Sequence, residues 1–279
     1  MSKTERKIES VTLDDLHLSY EVYGEGNTVI LCFHGNGRSA EDFRFLERKT
    51  RKIISVHLFL HGYSTFSPSR IHEDLITAEH VEKLLEKLLT KEKVDHFHWV
   101  AYSQGGRFTL SAFPAFAARV KSLFLIAPDG MDDNNFYSWS QRQWWARKLF
   151  KRWVGKPEEL MTISRGLSKV KIIHPKIVDF LDFYTSDHDK FEMAYKTWSA
   201  FRDLRPSNEE VKQTLAENDI HFNVIVGDYD KIISSKSATQ FLDKIDQSKA
   251  LTTMPFGHDI FKPHIEKELL ALMPFEEFD

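Results

Sequence analysis

Short apolar runs alternate along this chain with segments whose apolar positions recur every three to four residues, as buried strands alternate with amphipathic helices. The runs are NTVILCFHG, KIISVHLFL, DHFHWVAYS, VKSLFLIAP, HFNVIVGD and ALTTMPF, and the helical patterns include HEDLITAEHVEKLLEKLLTK and PHIEKELLALM. Strands that are apolar throughout, not merely at every second position, belong to a sheet covered on both faces. The opening IESVTLDDLHLSYEVYG reads as an antiparallel start, set off from NTVILCF by the turn signal GEGN. The pattern predicts an α/β fold, a mainly parallel sheet with helices on both faces. Between VKSLFLIAP and HFNVIVGD, roughly ninety residues carry no convincing strand, far beyond the ~15 of a connecting loop. NFYSWSQRQWWARKLFKRW, PEELMTISRGLSK, HPKIVDFLDFY and HDKFEMAYKTWSAFRDL have helical periodicity. Residues 131–217 are therefore expected to form a helical cap inserted into a core of residues 1–130 and 218–279.

One stretch carries candidate chemistry. WVAYSQGGRF, residues 99–108, puts Ser103 between the end of an apolar run and the start of a helical pattern, followed by Gly105 and Gly106. Glycine costs stability inside a helix and lets backbones approach closely, so two at a helix start predict tight packing against the preceding strand. A strand, a sharp turn and a helix with serine at the apex would lift its hydroxyl clear of the sheet, as a nucleophile elbow requires. A polar turn residue beside packing glycines would leave the same trace.

A serine hydroxyl is a weak nucleophile until a neighbour accepts its proton. Of the thirteen histidines, His258 and His264 lie beyond the candidate acid. His258 follows Gly257 directly after a predicted strand, where a loop sits at the carboxyl edge of the sheet, whereas His264 falls in a helix. VIVGDYDKII offers Asp228 and Asp230 at the end of another core strand; Asp230 is preferred, and spacing alone leaves Asp228 open as the acid. HGNG at 34–37 follows TVILCF, and its small residues let backbone N–H groups face a crevice, with Asn36 and Gln104 the expected donors to an oxyanion.

In chain order, HGNG, HGYS at 61–64, AYSQGG at 101–106, GDYD at 227–230 and GH at 257–258 resemble the motif series of the α/β-hydrolase superfamily, over nearly the whole chain outside the insertion. The resemblance implies Ser103 as nucleophile, Asp230 as acid, His258 as base and the Asn36 and Gln104 amides as oxyanion hole. It implies a hydrolase that cleaves an ester or related acyl bond through an acyl-serine and requires no cofactor. Two positions depart from the family: Ala101 replaces the first elbow glycine, and Ile232-Ile233 lacks the proline often found shortly after the acid. Neither removes a reacting group. A serine nucleophile argues against the superfamily's dehalogenase and epoxide hydrolase branches, which use aspartate there. Hydrolysis of a carbon–carbon bond in a diketone uses the same triad, and a non-catalytic ligand receptor could retain the pocket.

Composition narrows the partners more than the fold. With 279 residues, 42% hydrophobic and 13% aromatic, the chain can bury a sizeable core. A net charge of -3 gives no general attraction to nucleic acid; the resemblance implies as partner a small-molecule substrate with an apolar acyl part. The one cysteine, Cys32, sits inside TVILCF and reads as core. His96 and His98 share a strand face and His57 and His61 are four apart, but neither pair has a carboxylate or thiolate set at metal-site spacing, so no metal is expected. His61 and Gly62 read as shaping a loop near the pocket. No apolar run approaches the ~18 residues of a membrane span, and MSKTERKIES lacks the apolar region of a secretory signal, which makes a soluble cytoplasmic protein the default.

The segment WSQRQWWARKLFKRWVGK mixes Trp139, Trp144, Trp145, Leu149, Phe150 and Trp153 with Arg142, Arg147, Lys148, Lys151, Arg152 and Lys156. The favoured reading is a cap helix with its aromatic face over the pocket; contact with an anionic membrane surface is the alternative. An exposed aromatic face there would make dimers plausible, and the sequence leaves the oligomeric state open.

Overall fold

In a computed structural model, which describes residues 6–131, 143–173 and 175–279, the opening segments form a hairpin. Strand β1 (Lys7–Leu13) pairs antiparallel with β2 (Leu16–Tyr23), with Leu13 opposite Leu16 and Asp14 turning the chain at φ 53°. The later apolar runs become β3 (Thr28–Phe33), β4 (Arg51–Val56), β5 (Phe97–Tyr102), β6 (Val120–Ile126), β7 (His221–Gly227) and β8 (Leu251–Met254). All eight join one sheet in the order β1-β2-β4-β3-β5-β6-β7-β8. Pairing is parallel from β4 to β8, and β2 is antiparallel to both of its neighbours.

The α-helices described, in chain order, are α1 (Ala78–Lys91), α2 (Gln104–Phe116), α3 (Trp144–Gly155), α4 (Pro157–Lys169), α5 (Pro175–Thr185), α6 (His188–Ala200), α7 (Asn208–Glu217), α8 (Ser235–Lys244) and α9 (Pro263–Leu272). Successive side chains of a strand point to opposite faces, and here both faces are covered. On one, Ile30, Cys32, Val100, Phe124 and Ile225 share a core with Ile265 and Leu269 of α9. On the other, Phe33 meets Trp99 edge-on at 5.6 Å, and Trp99 meets Phe116 of α2 at 6.1 Å. Each such fully buried side chain contributes about 1.5–3 kcal/mol by leaving water.

Contacts divide the chain into two compact units. One is Met1–Ser67, Thr77–Asp132 and Leu204–Asp279, which holds the sheet; the other is Pro68–Ile76 and Asp133–Asp203, which holds α3 to α6. Residues 204–217, expected within the insertion of 131–217, group with the sheet unit, and residues 68–76 group with the helical one. Helix α7 packs against α2 and α8 in the sheet unit, and its start is fixed by Ser207, whose hydroxyl accepts the Glu210 N–H. Residues 68–76 join the helical unit because the buried Arg202 guanidinium donates to the carbonyls of Ile71 (2.9 Å), His72 (2.9 Å) and Ser199 (2.6 Å). The helical pattern that begins at His72 consequently yields a helix only from Ala78, after the N-cap Thr77.

Within the helical unit the aromatic stripe splits. Phe150 packs among Phe191, Tyr195 and Trp198, with ring centroids 5.3–5.4 Å away. Trp144 and Trp145, at the start of α3, are 68% and 45% exposed. Trp139 and Arg142 lie outside the described residues. Among the described residues, no helix is long and apolar enough to cross a membrane.

Candidate active site

The chain leaves β3 for β4 on one side, while β5 lies on the other, so the connections from two adjacent strands diverge and open a crevice at their carboxyl ends. Ser103 directly follows β5 with φ 49° and ψ -120°, a conformation that costs a non-glycine residue about 1–3 kcal/mol. Backbone hydrogen bonds hold it there. Ser103 N–H donates to Ile126 O (3.0 Å), and the Ser103 carbonyl accepts from Gly106 and Asp129, both at 2.8 Å.

The two glycines admit close neighbours. A Cβ at Gly105 would stand 2.3 Å from the Phe33 carbonyl oxygen, and one at Gly106 would stand 2.4 Å from Pro128 Cβ. The sequence predicts close packing against the preceding strand, β5, and α2 packs on it; the atoms nearest the two glycines belong to the end of β3 and the loop after β6. Both flank β5 in the sheet, so the start of α2 is wedged between the strand's neighbours.

The loops after β7 and β8 bring two more groups to Ser103. Ser103 Oγ lies 3.0 Å from His258 Nε2, and His258 Nδ1 lies 2.8 Å from Asp230 Oδ2. A carboxylate only accepts, so in the neutral ring Nδ1 carries the proton and Nε2 presents its lone pair to the serine hydroxyl. The Asp230 side chain is fully buried, and its Oδ1 accepts the N–H groups of Ile232 (2.8 Å) and Ile233 (2.9 Å). Asp228 is exposed, and His264 sits exposed in the first turn of α9. Sequence spacing left the choice of carboxylate open; the turn closed by Asp230 N–H to Gly227 O (3.0 Å) aims Asp230 inward.

Asn36 sits in the loop after β3, and Gln104 is the first residue of α2. The loop backs on the serine, since a Cβ at Gly35 would stand 2.9 Å from Ser103 Cβ. Among the described residues, neither the Asn36 nor the Gln104 amide donates to a protein group, which leaves both N–H groups available at the crevice. The loop is held by two buried imidazoles. His34 donates from Nδ1 to Gly35 O (2.7 Å) and accepts the Leu58 N–H at Nε2 (3.1 Å). His61 donates from Nδ1 to Phe59 O (3.1 Å) and accepts the Gly37 N–H at Nε2 (2.8 Å).

Other contacts at the site are absent from the sequence reading. Tyr102 donates its hydroxyl to the His258 carbonyl (2.6 Å), and burial pushes its phenol pKa up, so it remains a donor. Arg38 stacks over Phe261 at 4.4 Å and lies 3.6 Å from Asp259, tying the loop after β3 to the loop that carries His258. Away from the serine, His57 lies 3.1 Å from the buried Glu21 of β2, and at the other end of β5 His98 lies 3.2 Å from Asp279. These partners are 36 and 181 residues away in sequence, and no local spacing announces them.

Burial pushes the His34, His61 and His98 imidazoles below the ordinary histidine value of 6.5. Their charged forms are disfavoured in the fold and the rings regain ordinary basicity when it opens, so unfolding takes up protons and stability falls as the pH drops through that value. The thermal midpoint is expected to be lower at pH 5 than at pH 7.5, by roughly 2–4 °C for each kcal/mol lost, with proton uptake measurable by calorimetry in two buffers. A midpoint that is constant or rises on acidification contradicts this.

A family described as alpha/beta hydrolase fold matches residues 28–157. No curated protein matches the chain by sequence. Among solved structures, the chain is similar to a thermophilic esterase from Thermogutta terrifontis, at 16% identity and TM-score 0.65, over 98% of this chain and 97% of that one. It is also similar to MGS-M2, an alpha/beta hydrolase enzyme from a Medee basin deep-sea metagenome library, at 15% identity and TM-score 0.65, over 96% and 97%. The Cif epoxide hydrolase from Acinetobacter nosocomialis aligns at 14% identity and TM-score 0.64, over 96% and 89%. At such identities the likeness concerns the fold.

Proposed function

Because the chain is an α/β-hydrolase-fold protein, we propose that it is a serine hydrolase cleaving a carboxylic ester or related acyl bond. The observation that carries this reading is the hydrogen-bonded chain from Ser103 through His258 to the buried Asp230. Ser103 Oγ attacks the acyl carbon while His258 Nε2 takes its proton, and the carbonyl electron pair moves onto oxygen, opposite the Asn36 and Gln104 amides. The imidazolium, supported by Asp230, returns the proton to the leaving alkoxide as the bond to it breaks. Water then repeats the sequence on the acyl-serine and frees the acid. The helical unit serves as the cap in this reading. Turnover of p-nitrophenyl esters from acetyl to long acyl chains tests it: hydrolysis of part of the series at neutral pH supports the reading, and none across the series removes it.

The face of α3 favours a membrane-surface partner. Lys148 and Lys151 lie four and seven residues after Trp144, on the same exposed face of the helix, and among the described residues no ion pair engages either. Exposed tryptophans beside free cations suit the headgroup layer of an anionic bilayer. The protein is expected to float with phosphatidylserine-containing vesicles at low salt and to release as salt rises, and Trp144→Ala with Trp145→Ala should abolish flotation. No association at low ionic strength removes the membrane from the account.

A further inference from the structure

The Asn36 amide is one half of a peptide unit whose other half is the Gly35 carbonyl. The unit is planar and trans, so the two groups point to opposite sides, and whatever holds the carbonyl aims the N–H. His34 Nδ1 holds that carbonyl at 2.7 Å. The next peptide unit, Asn36 C=O with Gly37 N–H, is the middle of a turn closed by Arg38 N–H to Gly35 O (3.2 Å). Gly37 has φ +70° and Asn36 is not among the residues at positive φ, which is the pattern of a type II turn. In a type I turn the third residue has negative φ, and glycine adopts either sign. A Cβ at Gly37 would meet no atom within 4 Å, so no close side-chain packing holds this residue in place.

What selects is a hydrogen bond. Gly37 N–H donates to His61 Nε2 at 2.8 Å, and flipping the middle peptide would turn that N–H away. His61 is fitted to accept: its Nδ1–H is committed to Phe59 O, it is buried, and the His34 ring stands edge-on 4.9 Å away. We propose that His61 is a positioning residue for the reaction: by holding Gly37 it anchors the turn that closes on Gly35 O, and with it the Gly35–Asn36 peptide whose N–H faces the developing oxyanion. The proposal rests on the acyl-serine reading. His61 exchanges no proton with substrate and forms no bond to it; its effect passes through Gly37 to Asn36.

Two replacements separate this role from packing. His61→Phe keeps a flat ring and deletes the acceptor; His61→Gln deletes the ring and restores an acceptor in Oε1. His61→Phe is expected to lower kcat and the rate of fluorophosphonate labelling about tenfold to a hundredfold, short of the hundredfold to thousandfold that follows outright loss of a donor. KM should stay within about twofold, because the donor acts on charge that appears only in the transition state. His61→Gln should recover most of the loss. The Gly37 amide should exchange slowly with solvent in the wild type and His61→Gln, and fast in His61→Phe.

A His61→Phe protein with near wild-type kcat, a loss in KM equal to that in kcat, or a folded His61→Gln as impaired as His61→Phe overturns the proposal. Fast Gly37 exchange in the wild type overturns it without reference to any variant. A wild type that neither labels nor turns over esters removes the acyl-serine reading itself, and Gly37 exchange still reports whether the clamp exists.

Discussion

Ser103→Ala is expected to abolish covalent labelling and to lower ester turnover by about a millionfold, the loss seen when a serine, histidine and acid act as a unit. The fold should survive. The bonds that shape the turn, from Ser103 N–H to Ile126 and from Gly106 and Asp129 to the Ser103 carbonyl, are all backbone, and among the described residues the deleted hydroxyl is hydrogen-bonded to His258 alone. Circular dichroism and a thermal midpoint near the wild type's, together with the lost turnover, would separate chemistry from folding. Retention of more than a thousandth of the activity would place the nucleophile elsewhere.

Asp230→Asn should cost about ten-thousandfold in kcat, for a reason visible in its partners. Ile232 and Ile233 N–H groups converge on one oxygen of Asp230, so an asparagine would set its amide oxygen there and turn its NH₂ towards His258. That donor demands a lone pair on Nδ1, which moves the ring proton to Nε2 and faces a donor at the serine. Asp228→Asn should leave turnover within about twofold, since that side chain is exposed and substitutions at such positions have small effects. Steady-state kinetics on both variants check the pair, and the reverse outcome would exchange the roles.

Much of this arrangement is legible in the sequence because it is local. Apolar runs gave the strands their positions, and glycine-flanked Ser103, the GDYD turn and Gly257-His258 each lie directly after one of them. Parallel strands put their carboxyl ends at one edge, so three loops that look unrelated in sequence arrive together at the crevice. What stays hidden depends on sheet order. Gly105 meets Phe33 at the end of β3, His57 meets Glu21 across 36 residues, and Tyr102 reaches the His258 carbonyl across 156. The extent of the helical unit is hidden for the same reason: Arg202 gathers residues 71 and 72 from more than a hundred positions away, and no periodicity marks such a bond.

The most direct test is mass spectrometry of the wild-type protein after a fluorophosphonate, whose phosphorus becomes tetrahedral on Oγ and engages the same groups as the transition state. The account predicts one adduct per chain on the intact mass, mapping to the peptide that contains Ser103 and absent from Ser103→Ala. A folded wild type that remains unmodified, or that takes its adduct at another residue, contradicts it.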